Sequence, residues 1–396
     1  MSVHPHVPHA AHAARIQGWC PGALRPMPSG DGLVLRIRPP LGRLTQAQGH
    51  GIAELAACYA QPLLDLTSRA NLQFRGIATA DYPALLAGLQ ALDLIDTDVQ
   101  AESRRNILVS PLWQAADGTP SLAQALSKAL GQPGAPTLPA KFGFALDCGT
   151  VPLLRGCAAD IRLERHERGV LVYANGSAHG VVACAESAIA RAMELAHWFI
   201  AAGGAPIGRG RMDALVTKTT VPTHLAATPV PVNTGARPPW GLIPQGCVMG
   251  FEFGQLPVDT LRTLSALGPL RITPWRSLLV EGVQTMPALS ELITHADDVR
   301  LRVSACTGAP GCSQAAAPTR ELAHALAPLI PLGHMLHVSG CSKGCAHPNP
   351  TLTLVATSAG FDLIQHGTAA SPPDARDLNP AAIIAHLKQL AHAPHL

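Results

Sequence analysis

Between Leu64 and Arg75 apolar and polar residues alternate. Leu64, Leu66, Ala70, Leu72 and Phe74 fall on one side, and Asp65, Thr67, Arg69, Asn71, Gln73 and Arg75 on the other. A two-residue period is that of a half-buried strand. Upstream, a strand is expected over Leu33–Arg38, entered through the turn Ser29-Gly30-Asp31-Gly32. A helix follows with Thr45 near its cap and Ile52, Leu55, Ala56 and Tyr59 on its buried face. Near Gly246 the same plan begins again: a strand in CVMGFEF, a helix over Val258–Leu267 and a strand over Leu270–Val283. A shift of 206 positions lays Leu55 on Leu261, Leu66 on Ile272, Thr67 on Thr273, Leu72 on Leu278 and Gly76 on Gly282.

The segments after each of these modules repeat as well. The first is read as strand Asn106–Ser110, helix Ser121–Leu130, strand Lys141–Leu146, hairpin Ile161–His166 with Val170–Tyr173, and helix Ala185–Ala202 ending at Gly203-Gly204. The second is read as strand Leu301–Ser304, helix Thr319–Leu329, strand His334–Val338, hairpin Thr351–Ala356 with Phe361–Ile364, and a helix from Ala381. That last helix has Asn379 as cap and Pro380 at its first position. Gly169 and Gly176 fall on Gly360 and Gly367 at a shared offset of 191. The Pro- and Thr-rich run between the halves reads as a long connection.

At 396 residues the chain is too long for one ordinary core. A formal charge of +3 gives no reason to expect nucleic acid. The most apolar long segment, Ala188–Ala202, carries Arg191, Glu194 and His197, so no membrane span is expected. The opening MSVHPHVPHAAHAA lacks a secretory pattern, and ten unevenly spaced cysteines do not make a disulfide framework. A cytoplasmic location is expected. His4, His6, His9 and His12 read as a tail before a metal site.

Four of the cysteines carry the clearest chemistry. They form two pairs, Cys306-x5-Cys312 and Cys341-x3-Cys345, each just past an expected strand end, where open α/β sheets place ligands. Four thiolates suit an iron–sulfur cubane or a zinc ion, and the five-residue gap is wide for zinc knuckles. The plain alternative is four buried thiols in glycine-rich turns. Neither pair has a counterpart in the first copy. That copy instead carries Arg104-Arg105-Asn106 entering its opening strand and Asp147-Cys148 at the end of another. Its polar strand face, with Arg69, Asn71, Gln73 and Arg75, and the nearby Arg104, Arg105 and Lys141 suit a ligand bearing several carboxylates, or an oxyanion. A solvated sheet face is the ordinary reading of such alternation.

The cysteine spacing, the duplicated layout and the R-x-N-x-Q-x-R strand together resemble the siroheme-dependent nitrite and sulfite reductase superfamily. Within it, CPGALRPMPSGDGLVLRIRP, LTSRANLQFRGI, LPAKFGFALDCG and HVSGCSKGCAHP are similar to the precorrin-3B synthase family. The resemblance implies an α+β fold of two ferredoxin-like half-domains, at 15–95 and 241–290. It also implies two α/β domains, at 96–220 and 291–396, with 221–240 as linker. It implies a 4Fe–4S cluster on Cys306, Cys312, Cys341 and Cys345, and a mononuclear non-haem iron for which no ligand set stands out. It further implies a tetrapyrrole substrate, precorrin-3A, hydroxylated with dioxygen and closed to a lactone in cobalamin biosynthesis, with electrons from an unidentified donor. Arg69, Asn71, Gln73, Arg75, Arg104, Arg105 and Lys141 would hold the tetrapyrrole. Asp147 and His347 are candidates for acid–base or iron-ligand work. The rival readings are a siroheme nitrite or sulfite reductase and a non-catalytic electron carrier.

Overall fold

The computed structural model describes residues 19–392; the early histidines lie outside them. The chain divides into two compact units, residues 19–298 and residues from 299 onward. In the first unit the chain runs β1 (Met27–Ser29), β2 (Gly32–Ile37), β3 (Arg43–Leu44), α1 (Gln46–Tyr59), β4 (Leu63–Leu66), β5 (Leu72–Ile77), α2 (Tyr82–Ala91) and α3 (Val99–Arg104). Then come β6 (Ile107–Val109), α4 (Thr119–Gly131), β7 (Phe144–Asp147), β8 (Ile161–His166), β9 (Gly169–Ala174), β10 (His179–Ala183), α5 (Ala185–Ala201), α6 (Met212–Val216) and β11 (Thr228–Pro229). The unit closes with β12 (Gly241–Ile243), β13 (Gly246–Gly250), β14 (Gln255–Pro257), α7 (Val258–Leu267), β15 (Leu270–Ile272) and β16 (Ser277–Glu281).

Two of its sheets are completed by exchange. One has the order β1-β2-β5-β4-β14 and the other β12-β13-β16-β15-β3, so each copy lends the other its edge strand. Leu256 pairs with Leu64 in the first sheet and Leu44 with Leu270 in the second. The lent strands leave similar left-handed corners, Leu41 (φ 60°) and Phe253 (φ 56°), which stand 212 positions apart. Thr45 starts α1 with a reciprocal cap: its hydroxyl accepts from Gln48 N at 3.1 Å, and its N–H donates to Gln48 Oε1 at 3.0 Å. Against α7 the helix comes so near that a Cβ on Gly49 would stand 2.2 Å from Ser265 Oγ. One continuous apolar core, including Ile52, Ala56, Leu64, Phe74, Leu261 and Leu278, fills both copies.

The expected single strand Leu64–Arg75 is a hairpin, and so is its partner Leu270–Val283. Thr67 N donates to Asn71 O at 3.0 Å, Thr67 Oγ1 accepts from Asn71 N, and Ala70 sits in the left-handed region at φ 53°. Arg276, at φ 55°, turns the second copy in the same way. Alternation survived the turn because Ala70 is itself buried, so its side chain kept the apolar beat while the backbone reversed.

The remaining sheet of this unit orders its strands β11-β10-β9-β8-β7-β6, with β6, β7 and β8 parallel. Helices α4 and α5 pack their apolar faces, Leu122, Leu126, Ile189 and Phe199 among them, into its core. The segment read as a linker is partly ordered into the sheet: β11 pairs with β10 at its edge. In the second unit β17 (Val303–Ala305), α8 (Arg320–Leu326), β18 (Leu336–Ser339), β19 (Thr351–Ala356), β20 (Phe361–Gly367), β21 (Ala375–Leu378) and α9 (Pro380–His392) repeat that plan. Its order is β17-β18-β19-β20-β21, again three parallel strands followed by antiparallel ones. Asn379 Oδ1 caps α9 through Ala382 N at 2.9 Å. No helix among the described residues is long and apolar enough to cross a membrane.

Glu281 ties the exchanged strand down. Arg43 on β3 grips it with Nε and Nη2 at 2.8 and 2.9 Å, and Arg271 on β15 reaches it at 2.5 Å. Arg271 also donates to the carbonyls of Pro111 and Trp113 and stacks 4.0 Å over the Trp113 ring. Burial pushes the Glu281 carboxyl upward, but the two guanidiniums outweigh it and hold it below the ordinary carboxylate range. A depressed value gives stability that is present above the unfolded pKa and lost as pH falls through the folded one. Glu281→Gln should therefore lower stability at pH 7 by about 1–2 kcal/mol, allowing for partial screening. Denaturant titrations should show the gap to wild type closing below about pH 4; a constant gap from pH 7 to pH 3 would rule this out.

Candidate functional site

Two regions gather the residues singled out by sequence, one in each unit. In the second unit β17 and β18 run parallel, so their C-terminal ends share one sheet edge, and Cys306 and Cys341 follow those ends directly. Gly340 N donates to Cys306 Sγ at 3.1 Å. A Cβ on Gly340 would lie 2.5 Å from Ala315 Cβ, so a side chain there would push the two loops apart. Thr319 Oγ1 donates to Cys306 O at 2.7 Å and fixes the first loop. Cys306, Cys312 and Cys341 are half-buried and Cys345 is more exposed. Desolvation pushes the Cys341 thiol up; the Lys343 N–H and charge oppose this, while Cys306 and Cys312 add to it. Cys345 is raised by desolvation first, and all three other thiols contribute. The four sulfurs are thus electrostatic neighbours. Soft ligands, glycine-shaped loops and an N–H donor on sulfur fit an iron–sulfur cluster, whose binding would displace the thiol protons. His347 follows in the same loop, its ring centroid 6.0 Å from that of the fully buried His337. Among the described residues no group of three or more His, Cys, Asp or Glu, the four cysteines included, is gathered at metal-binding distance, so the fit to a cluster rests on ligand type and loop position.

The first unit concentrates guanidiniums, though not in the set that sequence alternation suggests. Because the chain turns at Ala70, Gln73 lies opposite Asp65 and donates to it at 2.9 Å. Gln73 also accepts from Arg36 Nη2 at 2.7 Å. Beyond Gln73 the register with β2 slips: Leu35 faces Phe74 but Leu33 faces Ile77, a bulge at Arg75-Gly76 with Gly76 at φ 67°. The bulge turns Arg75 away to Asp31, which it grips through Nε at 3.0 Å and Nη2 at 2.9 Å, with both side chains nearly buried. Arg105 is likewise held by Asp96, at 2.6 and 2.8 Å, and donates to Arg38 O. The Lys141 side chain is exposed, while its carbonyl accepts from Arg69 at 2.8 Å and Arg211 at 2.9 Å. Arg104 is half-buried, and its Nε has no partner.

Arg36 and Arg38, which the periodicity did not single out, complete the cationic group with Arg69. Burial pushes Arg36 down to about 10; Cys20 and Asp65 oppose the fall, and Arg38 and Arg69 add to it. Arg69 is lowered by burial and then by Arg211. Arg38 is lowered by burial, opposed by Glu102. The only cue in the sequence was their run within LRIRP, where a strand period of two puts Arg36 and Arg38 on one face. Arg38, Asn71 and Arg105 also line a cavity of about 720 Å³ against α4, with Lys128, Leu41 and Ile95. Asp147, at the end of β7, is buried. Its Oδ2 accepts from the N–H groups of Leu153 and Leu154, and burial raises its carboxyl despite those bonds. That makes Asp147 a fastener of the 150–155 loop.

Residues 25–92 match the family described as the nitrite/sulfite reductase ferredoxin-like half domain. The chain is 29% identical to a precorrin-3B synthase from Sinorhizobium sp, over 92% of this chain and 86% of that one. A ferredoxin–nitrite reductase of Synechococcus elongatus is 35% identical over 32% of this chain and 26% of that protein. A ferredoxin sulfite reductase of Mycolicibacterium paratuberculosis is 26% identical over 28% of this chain and 21% of that one. The solved structure of the Mycobacterium tuberculosis NirA protein covers 91% of this chain and 80% of its own, with a TM-score of 0.64 at 16% identity. The fold is thus the nitrite/sulfite reductase-like α+β fold.

Two measurements test these assignments. Arg75→Ala should destabilise the protein by about 3–5 kcal/mol, the cost of stranding one partner of a buried pair. In a double-mutant cycle with Asp31→Ala the losses should be far from additive, and additivity would show that the pair is not coupled. Separately, Ser at Cys306, Cys312, Cys341 or Cys345 should each sharply lower bound iron and sulfide after reconstitution, whereas Cys58→Ser and Cys184→Ser should not. Full iron content in all four single variants would remove the cluster assignment.

Proposed function

We propose that this homologue of precorrin-3B synthase carries out the same reaction, hydroxylating precorrin-3A with dioxygen and closing an acetate side chain to a lactone. The observation that carries the reading is the length of the similarity. It runs through nearly the whole of a precorrin-3B synthase, whereas the reductases match over about a quarter of their length. An enzyme is supported by every relative named.

In this reading Arg36, Arg38 and Arg69 bind carboxylates of the tetrapyrrole. Their mutual repulsion in a desolvated setting is what a polycarboxylate would relieve. Gln73 steers Arg36, and Asn71 lies at the edge of the cavity that Arg38 lines. Arg75 and Arg105 act one step back: the first fixes the β1–β2 turn and the second supports Arg38 through its carbonyl. Cys306, Cys312, Cys341 and Cys345 would hold a 4Fe–4S cluster, which supplies single electrons when bound. For the hydroxylation to balance, one oxygen atom enters the ring and the other leaves as water, with two electrons from a donor and two protons. The second reading, a siroheme nitrite or sulfite reductase, is favoured by the half-domain match at residues 25–92.

The deciding experiment incubates anaerobically reconstituted protein with precorrin-3A, with and without oxygen, and follows product mass. A gain of one oxygen only in the aerobic sample supports the synthase. Stoichiometric siroheme in an acid–acetone extract, with reduction of nitrite or sulfite, overturns it. Arg69→Ala should weaken precorrin-3A binding by about 1.5–3 kcal/mol, roughly 10- to 150-fold. Unchanged affinity would exclude Arg69 from the site.

A further inference from the structure

We infer that Cys20 is a substrate-contacting residue beside the cationic group, its thiol donating to a carboxylate that Arg36, Arg38 and Arg69 also bind. This deepens the tetrapyrrole reading and rests on it. Cys20 lies on a short strap ahead of β1 that is fastened at several points. Gly22 O accepts from Arg36 N at 3.4 Å, so the strap lies beside β2 at the first of the three arginines. Gly22 N donates to Arg25 O at 3.1 Å and closes a turn. Buried Glu102 on α3 accepts from Ala23 N at 2.5 Å and from Leu24 N at 3.2 Å, while Tyr82 donates to Ala23 O at 2.9 Å. Arg38 Nη1 donates to the Glu102 carbonyl. The same glutamate therefore places both the strap and one of the guanidiniums. There is no room for a side chain at Gly22: a Cβ would stand 2.1 Å from Glu102 Oε2.

Cys20 itself is half-buried, and its sulfur is near enough to act electrostatically on Arg36, Arg38 and Arg69 alike. A second observation points to a ligand there. Arg38 is nine-tenths buried, and its Nε has no partner; the buried Nε of Arg36 has none either. Desolvated donors without acceptors are costly, and a carboxylate oxygen is the acceptor that guanidiniums select. A thiol S–H is a donor, and a carboxylate oxygen is an acceptor that it can share with the guanidiniums. A thiol is a weaker donor than a hydroxyl, so its contribution is selectivity more than affinity.

The test is alkylation footprinting of the full-length, cluster-loaded protein with iodoacetamide, read by peptide mass spectrometry. Cys20 labelling should slow at least tenfold when precorrin-3A is added anaerobically, while exposed Cys58 and Cys184 label at unchanged rates. Cys20→Ala should weaken precorrin-3A binding about three- to tenfold, the worth of one hydrogen bond, and Cys20→Ser should restore most of it. Gly22→Ala, which forces the strap off Glu102, should abolish the protection at residue 20 without lowering cluster iron. Tetrapyrrole binding with undiminished Cys20 labelling would overturn the inference and leave the proposed function standing. Failure of wild-type protein to bind precorrin-3A at all would overturn both.

Discussion

The first unit depends on an exchange of edges. A sheet with an open edge exposes unpaired backbone groups and invites association. Here each ferredoxin-like sheet closes its own edge with a strand from its twin, β14 beside β4 and β3 beside β15. Because Leu256 faces Leu64 and Leu44 faces Leu270, the lent strands also add their buried side chains to the common core. Neither copy is complete without the other. The pair therefore behaves as one folding body in which a change to either copy is felt by both.

Such mutual dependence frees the loops to diverge. The five strands β6 to β10 and the five strands β17 to β21 follow one order, with the same mixture of parallel and antiparallel pairs, so both sheets present a like edge past their parallel strands. On the second, that edge carries four thiols, with Gly340 near Cys306 and Ala315. The first offers Ser110 after β6 and the buried Asp147 at the end of β7, whose Oδ2 accepts from two loop amides. A duplicated scaffold with like edges and unlike side chains lets one copy present four thiols and the other a buried carboxylate that fastens a loop.

Much of this was legible in the sequence because period and punctuation survive in it. The Thr45 cap, helix α7, the Asn379–Pro380 helix start and the hairpin at Gly360 all followed from local rules, and the structure has each of them. The cysteine pairs were legible because their chemistry is rare. What escaped was whatever depended on partners far along the chain. Alternation from Leu64 to Arg75 looked like one strand because buried Ala70 stood where the beat required an apolar residue, and its left-handed backbone leaves no mark in the pattern. Arg75 looked like a neighbour of Gln73 because the bulge at Gly76 is set by pairing with β2. The short lent strands carry too few residues to show a period at all.

The cationic group shows where folding and binding pull apart. Asp31, Asp96 and Glu164 each neutralise an arginine at close range, with Arg75, Arg105 and Arg155. Arg36 is held by an uncharged amide, and burial and two like charges push its pKa down. A carboxylate at residue 73 would neutralise Arg36, but it would also face Asp65, to which the Gln73 amide now donates. A neutral partner orients the guanidinium without cancelling its charge. Stability is given up locally, and the completed sheets and their shared core are large enough to bear the loss.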